Sequence, residues 1–305
     1  MSATLEHFVL TRFSATSARG QPPPEDDWLW YRLGFFVDAC HPSVLAQSDR
    51  DFRWLVWFDD RCSDGFRAEV ETLAAGAFEP VWGHEPFFAA VAGVVTSRSA
   101  APVLATTRLD SDDAIAADFV ERVHAEAVEV TSGRMDRLVV NFPHGLQVDR
   151  SGAVYRYRQP SSHFATMVER RHDGPPVTVF VGPHPLLRRH AAVREVQSPP
   201  MWVEVVHDGN LLNGVSGRRV HPDVLADRFD LPLGFRAGVS RRDLVREQVV
   251  TAVRQSVARA TGPFLLVQSG RALLDRVVGT RTKPRRADVF ASWTRAGRWR
   301  RRVLS

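Results

Sequence analysis

Asp110, Asp112 and Asp113 crowd onto one short turn at the end of the apolar run Val103–Leu109 (VLATTRL). Carboxylates that close repel one another unless a cation stands between them, and hard oxygen donors select Mg²⁺ or Mn²⁺. A cation held there could bridge to a diphosphate. The same acids could instead cap the next helix, where carboxylates meet exposed N–H groups and the positive end of the dipole. Two further apolar runs end in reactive residues, Thr11-Arg12 at the end of Glu6–Phe13 (EHFVLTRF) and Asp59-Asp60 after Phe52–Phe58 (FRWLVWF). If all three are strands of one parallel sheet, their ends lie on one edge and a nucleotide could span them. Thr11 and Arg12 would then lie near phosphate, with an aspartate accepting from a base N–H or ribose hydroxyl. Singly, each reads as a surface turn residue; their coincidence is the signal.

Familiar signatures are missing. The chain has no G-x-x-x-x-G-K-[ST] phosphate loop, no G-x-G-x-x-G after a strand, no G-x-S-x-G elbow and no H-E-x-x-H helix. Gly214-Val215-Ser216-Gly217 matches an elbow only loosely and has no base beside it. A lone histidine after an apolar strand, such as His207, ordinarily reads as a turn residue. His184, between Pro183 and Pro185, reads as structural.

These residues need a scaffold, and the pattern around them predicts one. Glu6–Phe13, Phe52–Phe58, Phe78–Trp82 and Val103–Leu109 read as strands. Between them, Trp28–Cys40 has helical spacing stopped at His41-Pro42, and Gly65–Ala75 and Glu85–Val95 read as helices. Ala114–Val130 reads as a helix directly after the acids. Alternating strands and helices imply parallel β-α-β wiring, and ligands of such sheets gather at the carboxyl ends of the strands. From Arg137 the texture becomes two alternating strands around Asp149–Gly152, a hairpin appended to the parallel sheet. Phe164–Arg171 reads as helical, Val177–Val181 as a strand, Pro183–Val193 as helical and Ser198–Asn213 as a strand with a polar turn. Val239–Ala260 is an amphipathic helical segment.

The 305 residues are 44% apolar and 25% charged, which excludes disorder, collagen and coiled coil. No apolar run reaches the ~18 residues of a membrane span. Met1–Glu6 lacks the pattern of a signal peptide, and Cys40 and Cys62 allow at most one bridge, so a cytoplasmic setting is expected. The net charge of +5 is uneven: residues 241–305 carry 16 Arg or Lys against 4 Asp or Glu, net +12, which leaves residues 1–240 at −7. A basic tail on an acidic body suits an anionic partner, although an arginine-rich solvated face reads the same way.

Taken together these segments resemble a known family. Thr106–Ile115 (TTRLDSDDAI) is similar to the metal-binding D-x-D segment of GT-A nucleotide-sugar-dependent glycosyltransferases, and more narrowly of the putative rhamnosyltransferase family of bacteria. His7–Phe13, Trp54–Asp59, Phe164–Glu169 and Pro200–His207 with Asn210 extend the resemblance in the same order over roughly residues 6–215. It implies an α/β fold of the GT-A (Rossmann-like) type, a mixed sheet with flanking helices. The GT-A domain would occupy residues 1–235, with a basic helical extension at 236–305. It also implies roles: Asp112 the principal metal ligand, Asp110 on ribose or a metal-bound water, Asp113 assisting, and His207 completing the shell around Mn²⁺ or Mg²⁺. Asp59 would read the nucleobase, Arg12 or Arg108 would assist the departing diphosphate, and Glu169 would be the base of an inverting enzyme. For Glu169 the alternative is a surface charge run with Arg170 and Arg171.

The expected function is therefore transfer of a sugar, with rhamnose first in line, from a nucleoside-diphosphate donor to a glycan, lipid-linked or other hydroxyl acceptor. The tail, with Trp293 and Trp299, would attach the protein peripherally to an anionic inner leaflet, pack on the catalytic domain, or bind a polyanionic acceptor. A metal-dependent nucleotidyltransferase could use the same acids, releasing pyrophosphate rather than a nucleoside diphosphate. A nucleic-acid binder would rest on the tail alone, and no RNP, helix-turn-helix or zinc-finger pattern supports it.

Overall fold

The computed structural model describes residues 3–149, 152–207, 215–229 and 231, together with residues 242, 244, 245 and 249. Asn210, Gly214, Trp293, Trp299, most of the expected helix Val239–Ala260 and nearly all of the basic extension lie outside the described residues.

Strand β1 (Leu5–Arg12) is central because it is apolar on both faces and pairs in parallel with β2 (Arg53–Phe58) on one side and β4 (Val103–Asp110) on the other. Strand β3 (Glu79–Trp82) extends the parallel set beyond β2. Beyond β4 the direction reverses at β9 (Thr166–Arg170), and β6 (Arg137–Asn141) and β10 (Ala192–Glu195) then run parallel to β4 again. The seven strands follow the order β10-β6-β9-β4-β1-β2-β3. A second sheet of five strands, β12-β8-β7-β11-β5, stands beside the acid loop. Its members are β5 (Ala114–Ile115), β7 (His144–Asp149), β8 (Val154–Arg158), β11 (Trp202–Val206) and β12 (Arg218–Val220). This is a mixed α/β architecture, the class that the sequence resemblance implies.

Both faces of the large sheet are covered, which is why its strands read as continuous rather than alternating apolar runs. On one face pack α1 (Asp26–Phe35), α2 (His41–Leu45), α3 (Asp64–Ala74) and α5 (Phe119–Thr131), around an aromatic cluster that includes Phe13, Phe36, Trp54, Phe58 and Phe66. On the other face α4 (Phe87–Arg98) buries Phe87, Val91 and Val95 against Phe8, Leu10, Leu55 and Leu104.

Several segments differ from the sequence expectation, each for a local reason. His41-Pro42 does not stop the first helix. A π-helical turn, Phe36–Cys40, joins α1 to α2, and Pro42 falls in the first turn of α2, where a missing N–H costs little. Ala114 and Ile115 are drawn into antiparallel pairing with β11, so the helix after the acids begins only at Phe119. The acid turn therefore caps no helix.

The expected hairpin is not appended to the large sheet. The chain leaves it at Phe142-Pro143, and β7 and β8 form their hairpin in the second sheet. Phe164–Arg171 is not a helix but contains β9, inserted between β4 and β6 with Thr166–Glu169 buried. Val177–Val181 is not a strand, because its N–H groups are claimed by side chains: Val177 and Thr178 donate to Glu169, and Val179 donates to Thr106 Oγ1. Pro183–Val193 splits into a 3₁₀ helix, His184–Arg189, and β10. Among the described residues no helix is long and apolar enough to cross a membrane.

Candidate functional site

The carboxyl ends of β1 and β4 meet in register at Arg12 and Asp110. The turn after β4 closes through a hydrogen bond from Asp113 N–H to Asp110 O at 3.2 Å, which holds three carboxylates in one bend. Each has a different partner. Asp110 accepts from Arg108 Nη2 at 2.9 Å and lies 3.8 Å from Arg12 Nη2. Asp112 is gripped by the guanidinium of Arg32 and accepts from His207 Nε2 at 2.8 Å. Asp113 accepts the Val205 N–H at 2.9 Å, and its Oδ2 lies 3.4 Å from His163 Nε2.

The repulsion among these acids is thus relieved in part by arginines. Burial pushes all three acids up. For Asp110 this is outweighed by Arg108, His163 and Arg12, which bring its pKa to about 2. Asp112 is likewise held below its usual value, against burial, by Arg32 and His207. Asp113 has no guanidinium: burial, then the charges of Asp112, Asp110 and Glu204, drive it well above the carboxylate range. It is the acid that stays uncompensated.

The arginines are themselves fixed. Arg12 lies 5.4–5.6 Å from the ring centres of Phe87, Phe88 and Phe180, and Arg108 shares Phe180 at 5.8 Å. Arg32 reaches the loop from α1 and is flanked by Trp28 at 5.8 Å. Arg12 Nε and Arg32 Nε are buried and donate to no acceptor among the described residues. Unsatisfied buried donors are rare enough to call for an explanation, and two of them beside one acid loop are suited to an anionic ligand.

His207 stacks on Phe35, with ring centres 4.0 Å apart and planes at 19°. Phe35 belongs to the last turn of α1, so this helix places both the histidine and the guanidinium that meet at Asp112. His163 is set from the second sheet. Trp202 of β11 stacks on Phe164 at 5.0 Å and donates its indole N–H to Phe142 O. Gly145 opposite must lack a side chain, since a Cβ there would lie 2.1 Å from the Trp202 ring.

Asp110, Asp113 and His163 offer two carboxylate oxygens and one imidazole nitrogen, all within 4.8 Å of one another. Burial lowers the His163 pKa, which keeps its lone pair available. An uncompensated carboxylate beside a neutral imidazole is a donor set that fits a divalent cation. Asp112, beside His207, is held through both oxygens by Arg32, as Asp110 is by Arg108, so of the three acids Asp113 alone has no guanidinium on it.

Several expected roles are corrected. Thr11 is fully buried on the other face, where its Oγ1 accepts from Trp54 Nε1 at 3.0 Å, so it offers a ligand no hydroxyl. Asp59 is equally buried. Its Oδ1 accepts from Arg61 N and Nε, and its Oδ2 from Arg61 Nη2 and Thr16 Oγ1, leaving no surface to read a base. Its effect outward is through the half-exposed Arg61. Glu169 is neither a surface residue nor near the acids. It faces Leu104 across the ladder, six residues before Asp110 along β4, or about 20 Å at ~3.3 Å per residue. There it accepts the Val177 and Thr178 N–H groups and pairs with Arg137. That placement withdraws it as a catalytic base.

Arg12, Arg108, Asp110, Asp112, Asp113 and His207 do converge. Arg32 and His163 were missed by the sequence reading. The only signal for His163 was its place just before the apolar Phe164–Glu169 segment, and Arg32 lay unmarked in a helix.

No curated protein matches the chain. Among solved structures, S. aureus TarS 1–349 in complex with UDP-GlcNAc is similar at 11% identity and a TM-score of 0.36, over 67% of this chain and 60% of that one. The chain thus spans less than two thirds of TarS 1–349. A cytidylyltransferase from Leptospira borgpetersenii is similar at 9% identity and a TM-score of 0.35, over 63% and 76% of the two chains. GalNAc-T7 with UDP, GalNAc and Mn²⁺ is similar at 12% identity and a TM-score of 0.31, over 55% and 35%. A family model matches residues 14–219, more than half of the chain and including the acid loop, Arg32, Arg108, His163 and His207 but not Arg12. The protein belongs to the family described as putative rhamnosyl transferase.

Proposed function

We propose that the protein transfers a sugar from a nucleoside-diphosphate donor to a hydroxyl acceptor, with the diphosphate seated between Arg12, Arg108 and Arg32 over the acid loop. The observation that supports this most directly is the pair of buried, unsatisfied guanidinium nitrogens on Arg12 and Arg32 flanking buried carboxylates at the carboxyl edge of parallel strands. Rigid donors aimed at a site of developing negative charge stabilise it without reorganising. Arg12 and Arg108 are kept rigid by Phe180 and by Asp110.

A divalent cation, Mn²⁺ or Mg²⁺, would be held by Asp110, Asp113 and His163, and would stabilise the departing diphosphate as a Lewis acid. Asp112 and His207 brace the loop through Arg32 and Phe35. In the reaction the acceptor oxygen bonds to the anomeric carbon, the anomeric C–O bond to the diphosphate breaks, and the hydroxyl proton is released. Rhamnose is the first sugar to test, since it is in the family's description. The domain division at residue 235 and peripheral attachment through the basic extension belong to this proposal as well.

The test is a screen of nucleotide sugars, TDP-rhamnose first, with and without Mn²⁺, reading thermal stability and product. Metal-dependent stabilisation with release of a nucleoside diphosphate is expected. Release of pyrophosphate from a nucleoside triphosphate would instead make the protein a nucleotidyltransferase.

A further inference from the structure

Strands β6 and β10 run parallel to β4, so their ends, Asn141 and Glu195, open on the same edge as Asp110. Between those ends and the 3₁₀ helix lies a cavity of about 180 Å³, lined in part by Asn141, Ser161, His184, Arg188 and Glu195. Its volume is below the ~300 Å³ at which pockets for drug-sized ligands begin, and suits one sugar ring. The cavity adjoins the acid loop through two histidines: the His184 and His163 rings are 5.9 Å apart, and His163 lies 3.4 Å from Asp113.

The cavity's polar groups are specific in type. His184 Nδ1 lies 2.5 Å from Ser161 O, an acceptor, so Nδ1 carries the proton and Nε2 carries the lone pair. A hydroxyl can donate to that nitrogen. Glu195 is paired with Arg158 Nη2 at 3.2 Å. Arg188 is exposed at the cavity's edge and makes no hydrogen bond or ion pair among the described residues, while the lining carboxylate Glu195 is engaged by Arg158, which leaves the Arg188 guanidinium open to an anion. Val193 and Leu187 supply apolar wall.

We propose that this cavity is the acceptor subsite, and that it selects a sugar carrying an anionic group, the anion on Arg188 and a hydroxyl on His184. The inference rests on the glycosyl-transfer reading above and adds the acceptor's chemical class. The anion is a carboxylate or a phosphate, and both share the geometry that a guanidinium fork recognises.

Titration of the full-length protein with glucuronic acid, glucose 6-phosphate and glucose, followed by calorimetry or ligand-observed NMR, tests it. At least one anionic sugar should bind tenfold or more tightly than glucose, and the tighter of the two identifies the anion. Arg188→Glu should weaken that binding tenfold or more. Arg189→Glu, the same charge change on a neighbour outside the cavity, should change it less than twofold. Equal binding of all three sugars, or equal losses in the two variants, overturns the proposal. Release of nucleoside diphosphate from the donor panel reads the transfer reaction separately. Donor turnover combined with Arg188-independent acceptor use overturns the subsite alone. Absence of any turnover overturns the donor reading, while Arg188-dependent binding of an anionic sugar still supports the cavity.

Discussion

Arg32 holds Asp112 through two parallel hydrogen bonds, Nη1 to Oδ2 at 2.9 Å and Nη2 to Oδ1 at 3.1 Å, across eighty residues of sequence. A third bond, from Nη2 to Ser111 Oγ at 2.8 Å, fixes the turn itself. Both side chains are nearly buried, at 13% and 10% exposure. Breaking such a pair from one side leaves a buried charge unopposed, at a cost of about 3–5 kcal/mol. Arg32→Met should therefore lower the melting temperature markedly, and adding Asp112→Asn should restore much of the loss. Arg32→Lys keeps the charge but not the fork, and should fall between. Chemical denaturation of the parent, Arg32→Met, Asp112→Asn and the double variant gives the coupling directly.

Cation binding separates the two groups of ligands. Asp113→Asn and His163→Gln should each weaken Mn²⁺ binding by about tenfold or more, as loss of a direct ligand requires. His207→Gln should leave it within a few-fold. Mn²⁺ titration followed by electron paramagnetic resonance measures this without any substrate. The reverse pattern would move the cation to Asp112 and His207.

Glu169 lies too far from the acid loop to take a proton there. A base removed from the reaction costs about 10²–10⁴ in rate. From its position near the other end of β4, Glu169→Gln should change kcat only a few-fold. It should cost stability instead, about 1–3 kcal/mol, because the amide turns a donor toward backbone N–H groups that need an acceptor. Loss of kcat with unchanged melting would restore the catalytic reading.

The sheet carries a buried histidine that sets an acid limit. His7 sits between His124 Nε2 at 3.1 Å and Thr107 Oγ1 at 2.7 Å. Burial, then the neighbouring His124, lowers its pKa from 6.5 to about 3, with Asp49 pulling weakly the other way. Between those values the unfolded chain binds a proton that the folded chain refuses, so stability falls as pH drops below about 6.5. One such group contributes at most about 1.4 kcal/mol per pH unit. His7→Gln should have a flatter stability profile between pH 6 and pH 4 than the parent, whatever its stability at neutral pH. Urea unfolding across that range measures the slopes.

What could be read in the sequence follows from what burial leaves visible. β1, β2 and β4 were legible because each is covered on both faces, carries a mainly apolar run, and ends abruptly in charge. β9 is just as buried, but Phe164–Glu169 is short and apolar without alternation, a pattern strand and helix share. Its identity is decided by β4 and β6 on either side, which no local window contains. The acid loop and His207 stood out for their residue types. Arg32 and His163 did not, because an arginine on a helix and a histidine in a loop become ligand-facing only when distant elements bring them to Asp112 and Asp113. Asp59 and Thr11 failed for the opposite reason: the right residue types at the right strand ends were claimed by Arg61 and by Trp54.

The clasp of Asp110 by Arg108 and Arg12 has a consequence for how a diphosphate arrives and leaves. Both guanidiniums already face a carboxylate, so a docking diphosphate would share them with Asp110. In the proposed reaction the aspartate would pull on both guanidiniums from beside the spent nucleotide, a built-in competitor that favours its exit.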